Sequence, residues 1–121
     1  MQGSEGMTEF DGGLSCIYRH HERIKLFYDR RTHGDIFGMF TELQNIIGDL
    51  VPEMTDDEYK QYLEDNTKLR NNLYVYMRNK SKEVEFKFSH LINDTFDKYM
   101  RLSKKKGMLQ RNSPSMEELF F

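Results

Sequence analysis

TDDEYKQYLEDNTKLRNNLYVYMRNKSKEVEFKFSHLINDTFDKYMRLSKKK, residues Thr55 to Lys106, is the stretch that decides the fold. Its first four residues form a capping box, in which the Thr55 side chain accepts an amide hydrogen bond from the first turn and Glu58 reaches back to the Thr55 amide. Asp56, Asp57 and Glu58 also face the positive end of the helix dipole, so charge and capping select the same start. Beyond the cap, Tyr59, Tyr62, Leu63, Asn66, Leu69, Leu73, Tyr76 and Met77 recur at steps of three and four, a moderately apolar helical face. A cleaner run follows in Val84, Phe88, Leu91, Thr95, Tyr99 and Leu102, widened by Ile92 and Phe96. Lys80 occupies the position where the first stripe should continue, and Asn79-Lys80-Ser81 is the least apolar part of the region. The pattern therefore favours two antiparallel helices over one rod, which would span about 75 Å and need partners along its length. Val84, Phe86 and Phe88 alternate like a strand, but the run is too short to outweigh the helical pattern after it.

Upstream, the periodicity is stronger. Ile36, Phe40, Leu43, Ile47 and Leu50, thickened by Phe37, Met39 and Ile46, describe a heavily apolar helix that belongs in a core or tight interface. Thr32-His33-Gly34 reads as the turn before it, with Asp35 as its cap. Gly48 and Pro52 mark its stop, and Pro52 biases Val51 away from helical geometry. An earlier helix runs from Leu14 to about Arg31, with Ile17, His21, Ile24 and Tyr28 on one side and Leu14, Tyr18 and Phe27 alongside. Its other side carries Arg19, Arg23, Lys25, Arg30 and Arg31 against Glu22 and Asp29, a mildly basic face. The predicted fold class is all-α: a small helical bundle of three to four helices, with a long helical hairpin as the variant. Residues 1–13 read as a flexible, glycine-rich leader, 14–106 as the helical domain, and 107–121 as a linker followed by a short docking peptide.

Composition narrows the function classes. The 121 residues suffice for one domain, and nine Phe, seven Tyr and eight Met suit either a core or a contact surface. A formal net charge of −2 provides no global attraction to nucleic acid or membrane. Charge is nevertheless segregated: eight acidic side chains against Lys60 alone between Glu42 and Asp65, and six basic with none acidic between Lys98 and Arg111. The opposed stretches suit self-association or docking to an oppositely charged surface. One cysteine, Cys16, excludes an intramolecular disulfide framework. No apolar run is long enough to span a membrane, and no export signal precedes the domain, so the reading is intracellular, cytoplasmic or nuclear.

Chemistry-bearing constellations are sparse. Cys16 and His20 lie four apart with His21, Glu22 and His33 nearby, and His90 precedes Asp94 by four; each is at most half of a metal site. His21, on the apolar face, reads as a hydrogen-bonded interior histidine. No carboxylate pair, nucleophile elbow, phosphate loop or dinucleotide fingerprint stands out, and neither catalysis, a metal nor a cofactor is expected. Two features remain. Arg101, Lys104, Lys105, Lys106 and Arg111 could contact phosphates if they share a face. Met116, Leu119, Phe120 and Phe121 end the sequence as an acidic-to-apolar peptide on a polar tether, and Ser115 with Glu118 repeats the capping-box spacing.

Met116 to Phe121 is broadly similar to the C-terminal peptides with which phage and bacterial replication or transcription factors bind the sliding clamp, and loosely to the eukaryotic and archaeal clamp-binding box. The opening glutamine of those patterns is absent, with Ser113, Ser115 or Met116 near its place. The resemblance implies a protein partner within a transcription or replication machine, viral or cellular. The sequence is accordingly read as a non-catalytic adaptor or regulatory protein that docks on a larger assembly partly through this peptide. Direct DNA or RNA binding through residues 98–111 and a structural homo-oligomer are the alternatives, and nucleic acid enters either directly or through the partner.

Overall fold

The computed structural model describes residues 12–109, with side chains from residue 17 onward. Four helices make up the described chain: α1 (Gly12–Thr32), α2 (Ile36–Leu50), α3 (Asp56–Arg78) and α4 (Lys82–Lys105), with a short 3₁₀ turn at Val51–Glu53 between α2 and α3. No strand occurs among the described residues, and no helix is long and apolar enough to cross a membrane. The small all-α bundle is the fold class the periodicity predicts, in its four-helix form.

Local chemistry accounts for the boundaries. Thr55 and Glu58 form the full capping box, with Thr55 Oγ1 accepting from the Glu58 amide at 3.2 Å and Glu58 Oε1 accepting from the Thr55 amide at 2.9 Å. Asp35 caps α2 through the Gly38 amide. A side chain at Gly38 would crowd the Asp35 carboxylate and the Arg30 stem, so these two side chains would have to shift to admit one. The long region divides at the polar triplet: α3 ends at Arg78, Asn79 is extended, and Ser81 caps α4 by accepting from the Val84 amide. Gly107, at φ 76°, terminates α4 in the left-handed region, and the Met108 amide returns to the Ser103 carbonyl at 2.9 Å.

The stop after α2 differs from the sequence reading. Val51 keeps right-handed helical dihedrals (φ −53°, ψ −46°) although Pro52 follows. The chain tightens into a 3₁₀ turn, with Pro52 at its start and the Met54 amide bonded to the Val51 carbonyl at 3.1 Å. Met54, extended at ψ 142°, makes the change of direction instead.

Two helical hairpins, α1–α2 and α3–α4, pack with α2 against α4. Seven α2 residues are buried, against two in the longer α3 (Leu69 and Tyr76), so α2 lies at the centre and α3 at the edge. Aromatic side chains join the hairpins. Phe27 of α1 stacks face to face on Phe96 of α4 with centroids 3.9 Å apart, and Tyr28 meets both edge-on. Phe40 of α2 packs on Phe88 of α4, which also touches Tyr76 of α3. Arg31 covers the Tyr28 ring at 4.6 Å and bonds Asn93. The core continues beyond Gly107, because Met108 and Leu109 are both buried in it.

Phe96→Ala is expected to lower unfolding stability by about 3–5 kcal/mol, since it empties a fully enclosed ring site between two hairpins. Phe86→Ala, at a position 71% exposed, should stay within about 0.5 kcal/mol in the same urea titration.

Candidate functional site

Two polar constellations are built into the bundle. The first lies between α1, α2 and α4 and centres on His20, which is completely buried. Its Nδ1 lies 3.1 Å from Asp49 Oδ2 and its Nε2 lies 2.8 Å from Ser103 Oγ. Arg23, one turn on along α1, donates to the other Asp49 oxygen and to the Asn45 carbonyl. Because Asp49 accepts only, the network assigns the proton of the neutral ring to Nδ1, leaving Nε2 to accept the Ser103 hydroxyl. Burial pushes the His20 pKa down, more strongly than the Asp49 hydrogen bond and charge pull it up. Ser103 Oγ also lies 2.9 Å from the Tyr99 carbonyl. On protonation of His20, Nε2–H donates to Oγ while the hydroxyl turns to that carbonyl. Both charge states therefore satisfy their hydrogen bonds, and the cost of the charged state is desolvation.

The order serine, histidine, aspartate is that of a nucleophile, its base and an orienting carboxylate. Ser103 is completely enclosed, however, and its neighbouring amides are committed to the end of α4: Lys106 to the Leu102 carbonyl, Gly107 to Lys104, Met108 to Ser103. A substrate has no route to Oγ in this fold. What the arrangement does is join three helices through a satisfied polar core.

His21, which the periodicity places in the interior, is buried there, and the neighbouring His20, which the periodicity did not single out, is buried more deeply. His20, Ile24 and Phe27 are the side chains with no exposure, and Tyr18 stands 71% exposed. The spacing of four and three from His20 to Ile24 to Phe27 was the available signal. Asp49 and Ser103 had none, being ordinary polar residues until the fold brings them to His20.

The second constellation runs along the seam of α3 and α4, where the acidic and basic stretches meet within one chain. Lys106 Nζ lies 2.8 Å from Glu58 Oε1 and Lys105 Nζ 3.5 Å from Glu58 Oε2. Asp65 Oδ2 accepts from both Lys98 Nζ and the Tyr99 hydroxyl at 2.8 Å. The hydrogen bond from Lys106, followed by that from the Thr55 amide, holds the Glu58 carboxyl down at about 2. Burial, then the Asp65 hydrogen bond, raises the Tyr99 phenol. Between these ion pairs lies a groove of about 230 Å³ whose exposed wall is almost entirely apolar. Tyr99 and Leu102 form its floor, Glu58 and Gln61 come from α3, and Lys98, Arg101 and Lys105 border it from α4. At this size it is below the usual range for an organic cofactor.

Of the anticipated phosphate-contact residues, Arg101, Lys104 and Lys105 are spaced three and four apart near the end of α4, and Lys105 and Lys106 are paired with Glu58. Lys106 is half-buried and turned to Glu58, whereas Arg101 and Lys104 are exposed and have no ion-pair partner among the described residues. Lys98, Arg101 and Lys105, spaced three and four apart, are the cations that share a border. Arg111 and the docking residues Met116, Leu119, Phe120 and Phe121 lie outside the described residues, as does the Cys16 side chain. Among the described residues, no group of three or more His, Cys, Asp or Glu could hold a metal ion. Comparisons of the chain with models of protein families, with curated proteins and with solved structures find no match.

Two titrations follow from these sites. The pKa values of His20 and His21 are both lowered in the fold from 6.5, so the unfolded chain binds more protons below that value. Stability should be full above pH 6.5 and decline as pH falls through 6.5 toward the lower folded-state values. His20→Gln should flatten that part of a urea-midpoint profile, and an unchanged slope would assign it to other groups. For Glu58, carboxyl resonances followed by NMR should titrate near pH 2, and Lys106→Ala should move the midpoint up toward 4.5. Its contribution to stability is present above 4.5 and lost as pH falls toward 2.

Proposed function

We propose that this chain is a non-catalytic helical adaptor or regulatory protein, intracellular, that docks on a larger protein assembly through two elements: the outer face of α3 and the peptide at 115–121. The observation that carries the reading is the apolar stripe on α3. Tyr59 (44% exposed), Leu63 (46%), Tyr74 (60%) and Met77 (54%) lie along one side of the helix, beside the inward side that carries Leu69 and Tyr76. The first and last are 18 positions apart, or about 27 Å along the helix. A row of large apolar side chains of that length, interrupted only by polar residues such as Asn66 and Arg70, has the form of an interaction surface that accepts a groove or another helix. The hairpin end adds Val75 and Phe86, both more than half exposed.

The likeness of Met116 to Phe121 to clamp-binding peptides makes replication or transcription machinery the first class of assembly to test. A second reading, direct nucleic-acid binding, draws on Arg101 and Lys104, exposed cations in the last two turns of α4 that lack an acidic partner among the described residues. Lys106 is a poor choice for testing it, since its replacement would also release Glu58.

Crosslinking pull-downs should compare the intact chain with a chain shortened after Pro114 and with Leu63→Lys/Tyr74→Lys, after circular dichroism has shown equal helicity. The adaptor reading expects a defined protein set recovered by the intact chain and depleted at least about tenfold by either change, the equivalent of roughly 1.4 kcal/mol. Equal recovery by all three chains would overturn it. Salt-dependent DNA or RNA binding lost in Arg101→Glu/Lys104→Glu would establish the second reading instead.

A further inference from the structure

We propose that the groove between α3 and α4 is the intramolecular seat of the chain's own 116–121 segment, so that the peptide is held on the bundle until a partner competes for it. The inference rests on reading that segment as a docking peptide, and it assigns the peptide a second receptor within the same molecule.

Reach, chemistry and charge each support this occupant. Leu109, where the described chain stops, is four residues from Lys105 on the groove border. Their Cα atoms therefore lie within about 15 Å whatever the path between them. The next six residues, 110–115, add up to about 20 Å, roughly two helix diameters, before Met116 is reached. The floor offered by Tyr99 and Leu102 is apolar, and about 230 Å³ suits one or two of the side chains Leu119, Phe120 and Phe121. The border is cationic. Among the residues that line the groove, Lys98, Arg101 and Lys105 stand against Glu58, a surplus of two positive charges. Glu117 and Glu118, immediately before the apolar triplet, carry the matching two negative charges. Arg101 is the border cation without an ion-pair partner among the described residues, and it is the one a glutamate of the segment would engage.

A second copy could present the same segment in trans, and an external protein could fill the groove with a similar one. The intramolecular occupant is favoured because the short tether supplies a millimolar effective concentration that neither competitor matches at ordinary protein concentrations.

The test uses the full chain, isotope-labelled and dilute, by NMR. Intramolecular seating predicts nuclear Overhauser contacts from the Phe120 or Phe121 ring protons to the Leu102 methyls. It also predicts shifts at Gln61, Tyr99 and Leu102 on changing to Phe120→Ala/Phe121→Ala, independent of protein concentration. Arg101→Glu should weaken the contacts severalfold while leaving helicity unchanged. Absence of contacts, with identical groove resonances in the alanine double variant, would overturn the proposal. Contacts that appear only between differently labelled molecules in a mixed sample would overturn it in favour of a second copy. Failure here is separable from failure of the adaptor reading: an empty groove with partner capture still lost on shortening removes the seat alone. Groove contacts with capture indifferent to shortening remove the external partner alone.

Discussion

The bundle depends on burying the apolar face of α2 from two sides. Its inward residues, Met39, Leu43, Ile46, Ile47 and Leu50, are essentially without exposure. At about 1.5–3 kcal/mol for each large side chain removed from water, that helix is, residue for residue, the densest source of stabilisation among the described helices. Two walls are needed to cover it: α1 on one side through the short Asp35-capped turn, and α4 on the other. Once α4 is committed to α2, α3 can approach only at the margin. The peripheral place of α3, its few buried residues and its exposed stripe all follow from that commitment.

The polar interactions reinforce the arrangement. Antiparallel α3 and α4 bring the positive end of one helix dipole beside the negative end of the other, and each end carries side chains of the complementary sign. Glu58 sits where these effects add, closing the capping box of α3 while accepting Lys106 from the end of α4. The charge segregation so conspicuous in the sequence is thus satisfied in large part within the chain. His20 does for α1, α2 and α4 what Glu58 does for the hairpin. A buried imidazole between a carboxylate and a hydroxyl tolerates little displacement of any of the three helices, and so adds geometric specificity to the non-directional packing of Phe27 on Phe96.

Where an interaction is local, residue pattern alone revealed it. The Thr55–Glu58 box, the Asp35 cap, the break at Asn79-Lys80-Ser81 and the stop at Gly107 each depend on residues a few positions apart, and all were legible. The orientation of a helix about its own axis was less so, because α1 has apolar residues around much of its circumference; Tyr18 faces out although it is large and apolar, and His20 faces in. Contacts between distant residues were not legible at all. Nothing in an aspartate at 49 or a serine at 103 marks it as a neighbour of His20, and the meeting of Lys106 with Glu58 becomes visible only when α4 folds back on α3. On α3 the periodicity showed one broad apolar face, which the structure divides into a buried half and an exposed half, because a single neighbouring helix covers only part of it.

That division separates the side chains that build the core from those that do not. Tyr59, Leu63, Tyr74 and Met77 are not needed to enclose α2, so substitutions there are constrained little by the core. Arg101 on the border of the groove is likewise not required by the core, since Glu58 and Asp65 are satisfied by Lys106, Lys98 and Tyr99 without it. Both features lie on the α3–α4 hairpin, and neither lies on α1 or α2. A scaffold of α1, α2 and the inner face of α4 therefore carries most of the buried apolar surface, and the outer surface of the hairpin contributes little to it.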